Sequence, residues 1–556
     1  MNHLKHDTYY DYDAMTAYLK SLPEAYPKLM TLSSIAQTFA GRDVWCVEIT
    51  NHSTGAGKDK VGYYIDAQIH AEEHATSSVA LYAISYLLEN FGKDPEVTRL
   101  LDEQVFYIFP RINPDGAEYS LQHPYYLWCG NGRCEPGYER ISGLKVQDIT
   151  GDGFITSMRM RDSKGEWKKS ERDPRLMVQR QPHEQGGVYY RLFPEGIIED
   201  YNGIEVEVER PEDGNMNRNF PANWSPDEYG AGEYPLSEPE TAGLARFILD
   251  HPNIAGMCAY HTHGGLILRP SMTKPDSAMS ARDLNLYQDL GQAGTEVTDY
   301  PTISIYEDFT PDKSKPRHGG LMDWTYEQMG IISFGVELWD LEKEAGVEKT
   351  HYYNLHPRSE ETQQNVFEWV LANIGEQGYR DWQTVQHPQL GEVEVGGMVY
   401  IWTYRNPPGQ LLEQMCHKNT LFNLRHAAAA PRLLIDDVQA EALGADLYRI
   451  SAVVSNHGYL PTNLSDVAIE NGVADAVTVS LETANSILLM NPATQDLGHL
   501  AGRNERKYPY SPWGQQWSAV SKRAEWLVKK NPGDASVTIE AHSARAGQQK
   551  LILPLT

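Results

Sequence analysis

Basic residues are scarce in this chain. Lys and Arg number 48 against 76 Asp and Glu, a formal net charge of −28. Phosphate binding needs clustered Lys and Arg, so this balance excludes nucleic acid as an expected partner. Acidity of this kind serves solubility and points to no particular substrate. Cysteine is also rare. The five present, Cys46, Cys129, Cys134, Cys258 and Cys416, are too few and scattered for a disulfide framework, and none has the spacing of a structural zinc site. Cys129 and Cys134 are near enough to close a small loop, and two isolated thiols fit them equally. No apolar run is long enough to span a membrane. Met1–Tyr12 lacks the basic start and apolar stretch of a signal peptide. The expectation is a cytoplasmic protein, or an exported one whose signal peptide is absent from this chain. No internal repeat or low-complexity tract appears.

What is present fits a globular protein: 41% apolar and 22% charged residues over 556 positions, too long for one ordinary core. From about Asp43 to Ala372, strand-like and helix-like segments alternate. Val61–Ile69, Phe106–Ile112, Ile254–Tyr260 and Ile331–Val336 read as strands, the last two as buried ones. Ala80, Ile84, Leu87, Leu88 and Phe91 recur at helical spacing within Ala75–Phe91, and Gly92 is a stop. Ser237-Glu238-Pro239-Glu240 looks like a capping box opening a helix that ends near Leu249, and another helix runs from about Ser359 to Ile374. Such alternation implies an α/β sheet covered by helices on both faces. Gly130–Glu212, rich in Gly, Pro and charge, reads as a long insertion. Past Gln386-His387-Pro388 the texture changes to short alternating strands separated by turns such as Asn456-His457-Gly458. The expected division is therefore 1–385, with its insertion at about 130–212, followed by a small antiparallel β-sandwich over 386–556.

His70-Ala71-Glu72-Glu73-His74 admits two metal readings. As His-x-x-Glu, His70 and Glu73 bind; as the inverted zincin motif, His70 and His74 bind and Glu73 is the base. The second needs both histidines on one helical face. His70 directly follows a strand, which favours the first. A catalytic zinc wants three protein ligands and an open position. His261 ends the strand Ile254–Tyr260 and supplies a third, at the strand ends where an open α/β sheet gathers its site. His263 is the weaker candidate. Glu337 ends the apolar run Ser333–Val336, where a carboxylate is either paired or poised as a base. Arg218 beside Asn217 can grip a carboxylate in a bidentate hold.

Together and in this order these elements resemble the zinc carboxypeptidase family typified by carboxypeptidases A and B. The matching pieces are His70-x-x-Glu73, Asn113-Pro114-Asp115-Gly116, Asn217-Arg218-Asn219-Phe220, His261 before Gly264-Gly265, Gly319-Gly320-Leu321-Met322-Asp323-Trp324, and Phe334-Gly335-Val336-Glu337. They span roughly residues 8 to 375. The resemblance implies a mixed eight-stranded sheet in an α/β/α sandwich, with His70, Glu73 and His261 holding one zinc ion. It further implies removal of the C-terminal residue of a peptide with a free carboxylate, by a zinc-bound water with Glu337 as general base. An arginine between the Asn-Pro-Asp-Gly and Asn-Arg motifs steadies the oxyanion in such enzymes; Arg159 is the choice here and Arg161 the reserve. Asn217 and Arg218 then hold the terminal carboxylate, Tyr306 matches the family's mobile tyrosine, and Met322 stands where the pocket for the terminal side chain is tuned.

Departures from the family pattern are informative. Glu72 replaces a residue that is often Arg. Asn215 stands where an Asp usually orients a zinc-binding histidine; Asn still accepts that hydrogen bond but brings no charge. Met322 is not acidic, which argues against a strict preference for terminal Lys or Arg, while Lys313, Lys315 and Arg317 lie in an insertion where they either attract an acidic residue or are simply solvated. Asp148-x-x-x-Asp152 resembles the start of a calcium loop, but Arg159 stands where its closing Glu belongs, so a tight turn is the alternative. Two other functional readings stand beside peptide cleavage: action on modified or cell-wall-type peptides, and a catalytically silent peptide-binding homologue. The C-terminal domain shows no chemical constellation and reads as a folding or interaction module.

Overall fold

The structure, a computed structural model, describes residues 4–122, 129–132, 142–208, 214–348, 358–444, 446–506 and 518–555. Cys134 and part of the 130–212 insertion lie outside them; among the described residues Cys46, Cys129, Cys258 and Cys416 are free thiols.

Eight strands form the central sheet: β1 Met30–Gln37, β2 Asp43–Ile49, β3 Val61–Ala67, β4 Gln104–Phe109, β5 Ile254–Thr262, β6 Leu266–Arg269, β7 Thr302–Ser304 and β8 Ile332–Leu338. Their order is β1-β2-β4-β3-β5-β8-β6-β7. β4, β3, β5 and β8 run parallel, while the β1–β2, β2–β4 and β8–β6 pairs are antiparallel. The parallel centre is buried on both faces, which is why β3, β5 and β8 read as nearly continuous apolar runs.

Side chains alternate across a strand, and that parity sorts the sheet. Tyr63, Ile65 and Ala67 of β3, Cys258 and Tyr260 of β5, and Phe334, Val336 and Leu338 of β8 all face one core. Against it lie helices α1 Tyr12–Ala25, α2 His74–Asn90, α3 Pro95–Glu103, α5 Ala281–Thr298, α6 Glu360–Asn373 and α7 Gly409–Ala428, which contribute Leu19, Ile84, Leu100, Tyr287, Phe367 and Phe422. The opposite face takes Tyr64, Tyr107, Phe109 and Met257, covered by α4 Pro239–Asp250 and by Leu321 and Trp324. Each such buried side chain stabilises the sandwich by roughly 1.5–3 kcal/mol. Helix α4 starts as expected, but Ser237 does not cap it: Glu238 is the N-cap residue, its side chain makes no capping bond to the helix, and the Ser237 hydroxyl accepts from the Asn219 amide.

The boundary expected at 385 lies too early. Helix α7 is part of the main core, its Leu412, Met415, Cys416 and Phe422 buried with the sheet residues. The strands Tyr379–His387 and Gly391–Met398 pair with each other, and the second pairs not with a C-terminal strand but with Ser157–Arg161 of the insertion, in a six-stranded sheet. Alternation alone could not show which partner those strands would find. The β-sandwich itself begins at Leu433, with two four-stranded antiparallel sheets, one from Leu433–Gly444, Leu447–Asn456, Ser521–Lys529 and Ile487–Met490, the other from Thr494–Gly498, Val477–Glu482, Ser536–Ser543 and Gly547–Pro554. Trp526, Ile450, Val479 and Ile539 meet between them.

Candidate metal centre and substrate cleft

The parity that buries Tyr260 and Val336 turns their neighbours to the other face. Register then sets His261 directly beside Glu337, and Ala259 between Asp66 and Gly335. Two acids and a histidine thus share one patch of sheet, with small residues between them leaving an open floor. His70 and Glu73 enter from the turn joining β3 to α2, where Glu73 is the N-cap residue.

The donor atoms converge. His70 Nδ1 lies 3.0 Å from Glu73 Oε1, and His261 Nδ1 lies 3.2 Å from both His70 Nδ1 and Glu73 Oε2. One ligand atom from each falls within 4.8 Å of the others, a grouping found once among the described residues. Asn215 sets the His70 tautomer. Its side-chain oxygen receives the Asn217 N–H at 3.0 Å, and a backbone N–H only donates, so the atom facing His70 Nε2 at 3.1 Å is an acceptor. Nε2 therefore carries the proton and Nδ1 turns its lone pair inward. Two imidazole nitrogens and a carboxylate facing one point, with a cleft on the remaining side, suit a zinc ion with one open position.

The charges agree. Burial lowers His70, against the pull of Glu73. Burial also works to lower His261, but Glu73, then Glu337 and Asp66, overcome it and hold the ring at about 9. Burial alone would raise Glu73; the two histidines bring it well below the ordinary carboxylate range. Glu337 is pushed up to about 7 by burial, with His261 opposing and Glu73 adding to the rise.

His74 stands apart. Gln68 Oε1 accepts from Arg111, so the Gln68 amide nitrogen is the group 2.8 Å from His74 Nδ1 and donates to it; Nε2 then faces Ser120 Oγ at 3.2 Å. Both ring nitrogens are satisfied, and burial brings the ring down to about 3. His74 is a neutral core histidine, which disposes of the inverted-zincin geometry.

The cleft beside the donors is lined by Asn217, Arg218, Leu268, Met272, Met322 and Arg317, over a floor of Asp66, Gly335 and Glu337. Arg218 lies 3.6 Å from Glu228, and Asn217 accepts the Leu321 N–H at 3.0 Å, starting the short helix Leu321–Glu327. Gly319 has φ +70°, and a Cβ there would sit 2.1 Å from the Arg218 carbonyl oxygen. That close approach needs glycine.

The structure departs from two expectations. Arg159 is far from a free cleft guanidinium: it lies in the six-stranded sheet, its Nε and Nη2 bonded to Glu394 at 3.0 and 2.9 Å and its plane 3.9 Å over the Trp382 ring. Arg161 is exposed on the same strand. The insertion that carries them folds onto Tyr379–Met398, which position in the sequence could not reveal. Tyr306 is not among the cleft-lining residues; its neighbours Ile305 and Phe309 are, while its own ring has Lys313 5.5 Å above it. At the calcium-like loop, both Asp148 oxygens accept backbone N–H groups, from Thr150, Gly151 and Gly153, the tight-turn alternative. Asp66 and Arg405 escaped the sequence reading. An acid inside the apolar run Val61–Ile69 was the available signal for Asp66; Arg405 had none.

The profile of zinc carboxypeptidases matches residues 15–366. The chain belongs to the zinc carboxypeptidase family. Residues 432–552 match a domain of unknown function. Mouse carboxypeptidase M is 34% identical over 131 residues, 22% of this chain and 28% of that protein. A yeast protein of Saccharomyces cerevisiae named inactive metallocarboxypeptidase ECM14 is 30% identical over 123 residues, again 22% and 28%. Rat carboxypeptidase A1 is 22% identical over 333 residues, covering 60% of this chain and 63% of that protein. The chain thus matches under a third of the length of the first two relatives. Among solved structures, bovine thrombin-activatable fibrinolysis inhibitor in complex with tick carboxypeptidase inhibitor shares 15% identity, covering 76% of this chain and 97% of that one at a TM-score of 0.43.

Proposed function

We propose that this chain is a zinc-dependent carboxypeptidase that removes the C-terminal residue of peptides bearing a free carboxylate. The observation that carries this reading is convergence: His70, Glu73 and His261 face one point, and Glu337, Asn217 and Arg218 border the same cleft. Zinc, when bound, supplies a Lewis acid that polarises the scissile carbonyl and acidifies a water molecule. Glu337, held near neutrality by its burial, takes a proton from that water and returns one to the leaving amine. Arg218 and Asn217 hold the terminal carboxylate, which restricts cleavage to the chain end. Met322, Leu268 and Met272 give the terminal side chain apolar walls, and Arg317 beside them disfavours a basic one.

A silent binding homologue is the second reading, favoured by the likeness to a yeast protein named inactive and by the uncharged Asn215 behind His70. The test is mass spectrometry on a peptide library with free and amidated C-termini, with and without a zinc chelator. Chelator-sensitive trimming of only the free-carboxylate peptides is expected. One bound zinc per chain with no trimming of any peptide favours modified substrates or the silent homologue.

A further inference from the structure

Residues 400–406 lie beyond the carboxypeptidase match, which ends at 366, and before the C-terminal match, which begins at 432. The fold nevertheless lays them against the segments that carry the metal ligands and Glu337. Asn406 Oδ1 receives the Ala75 N–H at 2.9 Å, and its amide nitrogen donates to the Glu72 carbonyl at 2.9 Å. The Trp339 indole, two residues past Glu337, donates to the Thr403 carbonyl at 2.7 Å. Trp402 stacks on His74 with ring centroids 5.7 Å apart.

Arg405 makes the most consequential contacts. Its Nε lies 2.7 Å from Glu72 Oε1, and its Nη1 donates to the Thr262 carbonyl at 2.9 Å. Both side chains are nearly fully buried, at 8% and 7% exposure. One guanidinium thus joins the residue before Glu73 to the residue after His261. One ligand segment is the turn between β3 and α2 and the other the end of β5, and this is a direct bridge between them other than the donor atoms themselves. A guanidinium is well suited to such a bridge. It is planar and permanently charged, so it can form an ion pair with a carboxylate on one side and donate to a carbonyl on another at a set separation. Lysine, a single point on a flexible stem, cannot reproduce that span.

We propose that Arg405 is a positioning residue of the metal centre, its bridge from the Glu72 carboxylate to the Thr262 carbonyl fixing the separation of Glu73 and His261 and thereby the zinc affinity. This rests on the zinc reading of the site. It also gives Glu72 a role where relatives often carry Arg: the acid at 72 and the arginine at 405 form one device.

The experiment is zinc competition against a chromophoric chelator on the full chain, for wild type, Arg405→Gln, Arg405→Lys, Glu72→Gln and the Glu72→Gln/Arg405→Gln double variant. Circular dichroism reports folding, and kcat and KM are measured at saturating zinc. Partners that orient ligands typically change metal affinity about 10- to 100-fold. Arg405→Gln and Glu72→Gln should each weaken zinc by that range, Arg405→Lys should recover little, and the double variant should lose less than the product of the single losses. At saturating zinc, kcat should return to within a few-fold of wild type. Unchanged zinc affinity in folded Arg405→Gln and Glu72→Gln overturns the proposal, as does a kcat loss that zinc does not restore. Glu72→Gln removes the same bridge from its other end if Arg405→Gln does not fold. A wild-type chain that binds no zinc refutes the zinc reading itself, and so is distinguishable from failure of the bridge.

Discussion

Asn215 offers a test in which two observables move in opposite directions. Its oxygen accepts the His70 Nε2 proton at 3.1 Å, leaving Nδ1 free for the metal. Asn215→Ala deletes that acceptor. By the usual effect of such partners, zinc affinity should fall about 10- to 100-fold, or ~1.4–2.7 kcal/mol. Asn215→Asp keeps the geometry, still accepts the Asn217 N–H, and adds a charge. A charged acceptor makes the His70 ring a more basic ligand and gains more than a neutral one when the bound cation polarises the Nε2–H group. With about 1 kcal/mol of that gain appearing only in the metal-bound state, zinc should bind roughly fivefold tighter. The new carboxylate must also be desolvated, because position 215 is buried. That cost is present with and without metal, so it cancels in the affinity but not in the folding stability. Metal-free Asn215→Asp should therefore melt lower than wild type while binding zinc more tightly. Chelator competition supplies the affinities and calorimetry of the metal-free protein supplies the melting temperatures. Weaker zinc binding by Asn215→Asp, or unchanged binding by Asn215→Ala, refutes the view that His70 is a ligand oriented through Nε2.

Glu337→Gln should bind zinc as wild type does and lose about 10²–10⁴-fold in turnover on free-carboxylate peptides; His74→Ala should keep its zinc, since both ring nitrogens are committed to Gln68 and Ser120. Zinc uptake should release protons. His261 sits raised at about 9 in the metal-free chain, so it is charged below that pH and must lose its proton to bind. Apparent affinity should rise about tenfold per pH unit from 7 towards 9 and level off above, with about one proton released per zinc at pH 7 in titrations across buffers of different ionisation enthalpy; no proton release counts against His261 as a ligand. Truncation after Pro431 should destabilise the catalytic part. It removes Leu460 and Leu464 from the main core and strips Asp283 of the Asp466 N–H, which it accepts at 2.8 Å. Two buried leucines amount to roughly 3–6 kcal/mol, or a melting-temperature loss of about 3–7 °C for a unit of this size by differential scanning calorimetry; an unchanged melting temperature assigns the sandwich to interactions outside the fold.

The candidate metal ligands were legible because the chemistry is local. His70 and Glu73 lie three residues apart after a strand, and His261 and Glu337 each end an apolar run, so parity alone turns them to the same face. Strand and helix positions in the core followed for the same reason, burial on both faces leaving a continuous apolar signature. Position 337 beside 261 needed only a register, and the pattern of buried residues supplied it. The failures are all long-range. Which strands Tyr379–Met398 would pair with depended on an insertion more than 180 residues earlier in the chain, and the same pairing carried Arg159 to Glu394. Helix α7 joined the main core because its apolar face met α2 and α5, a choice that the β-rich texture around it concealed. Arg405 reached Glu72 and Thr262 only because the chain doubled back across the site after completing it. A residue whose partners lie hundreds of positions away leaves no periodicity or spacing behind, and its role exists only once the fold has closed.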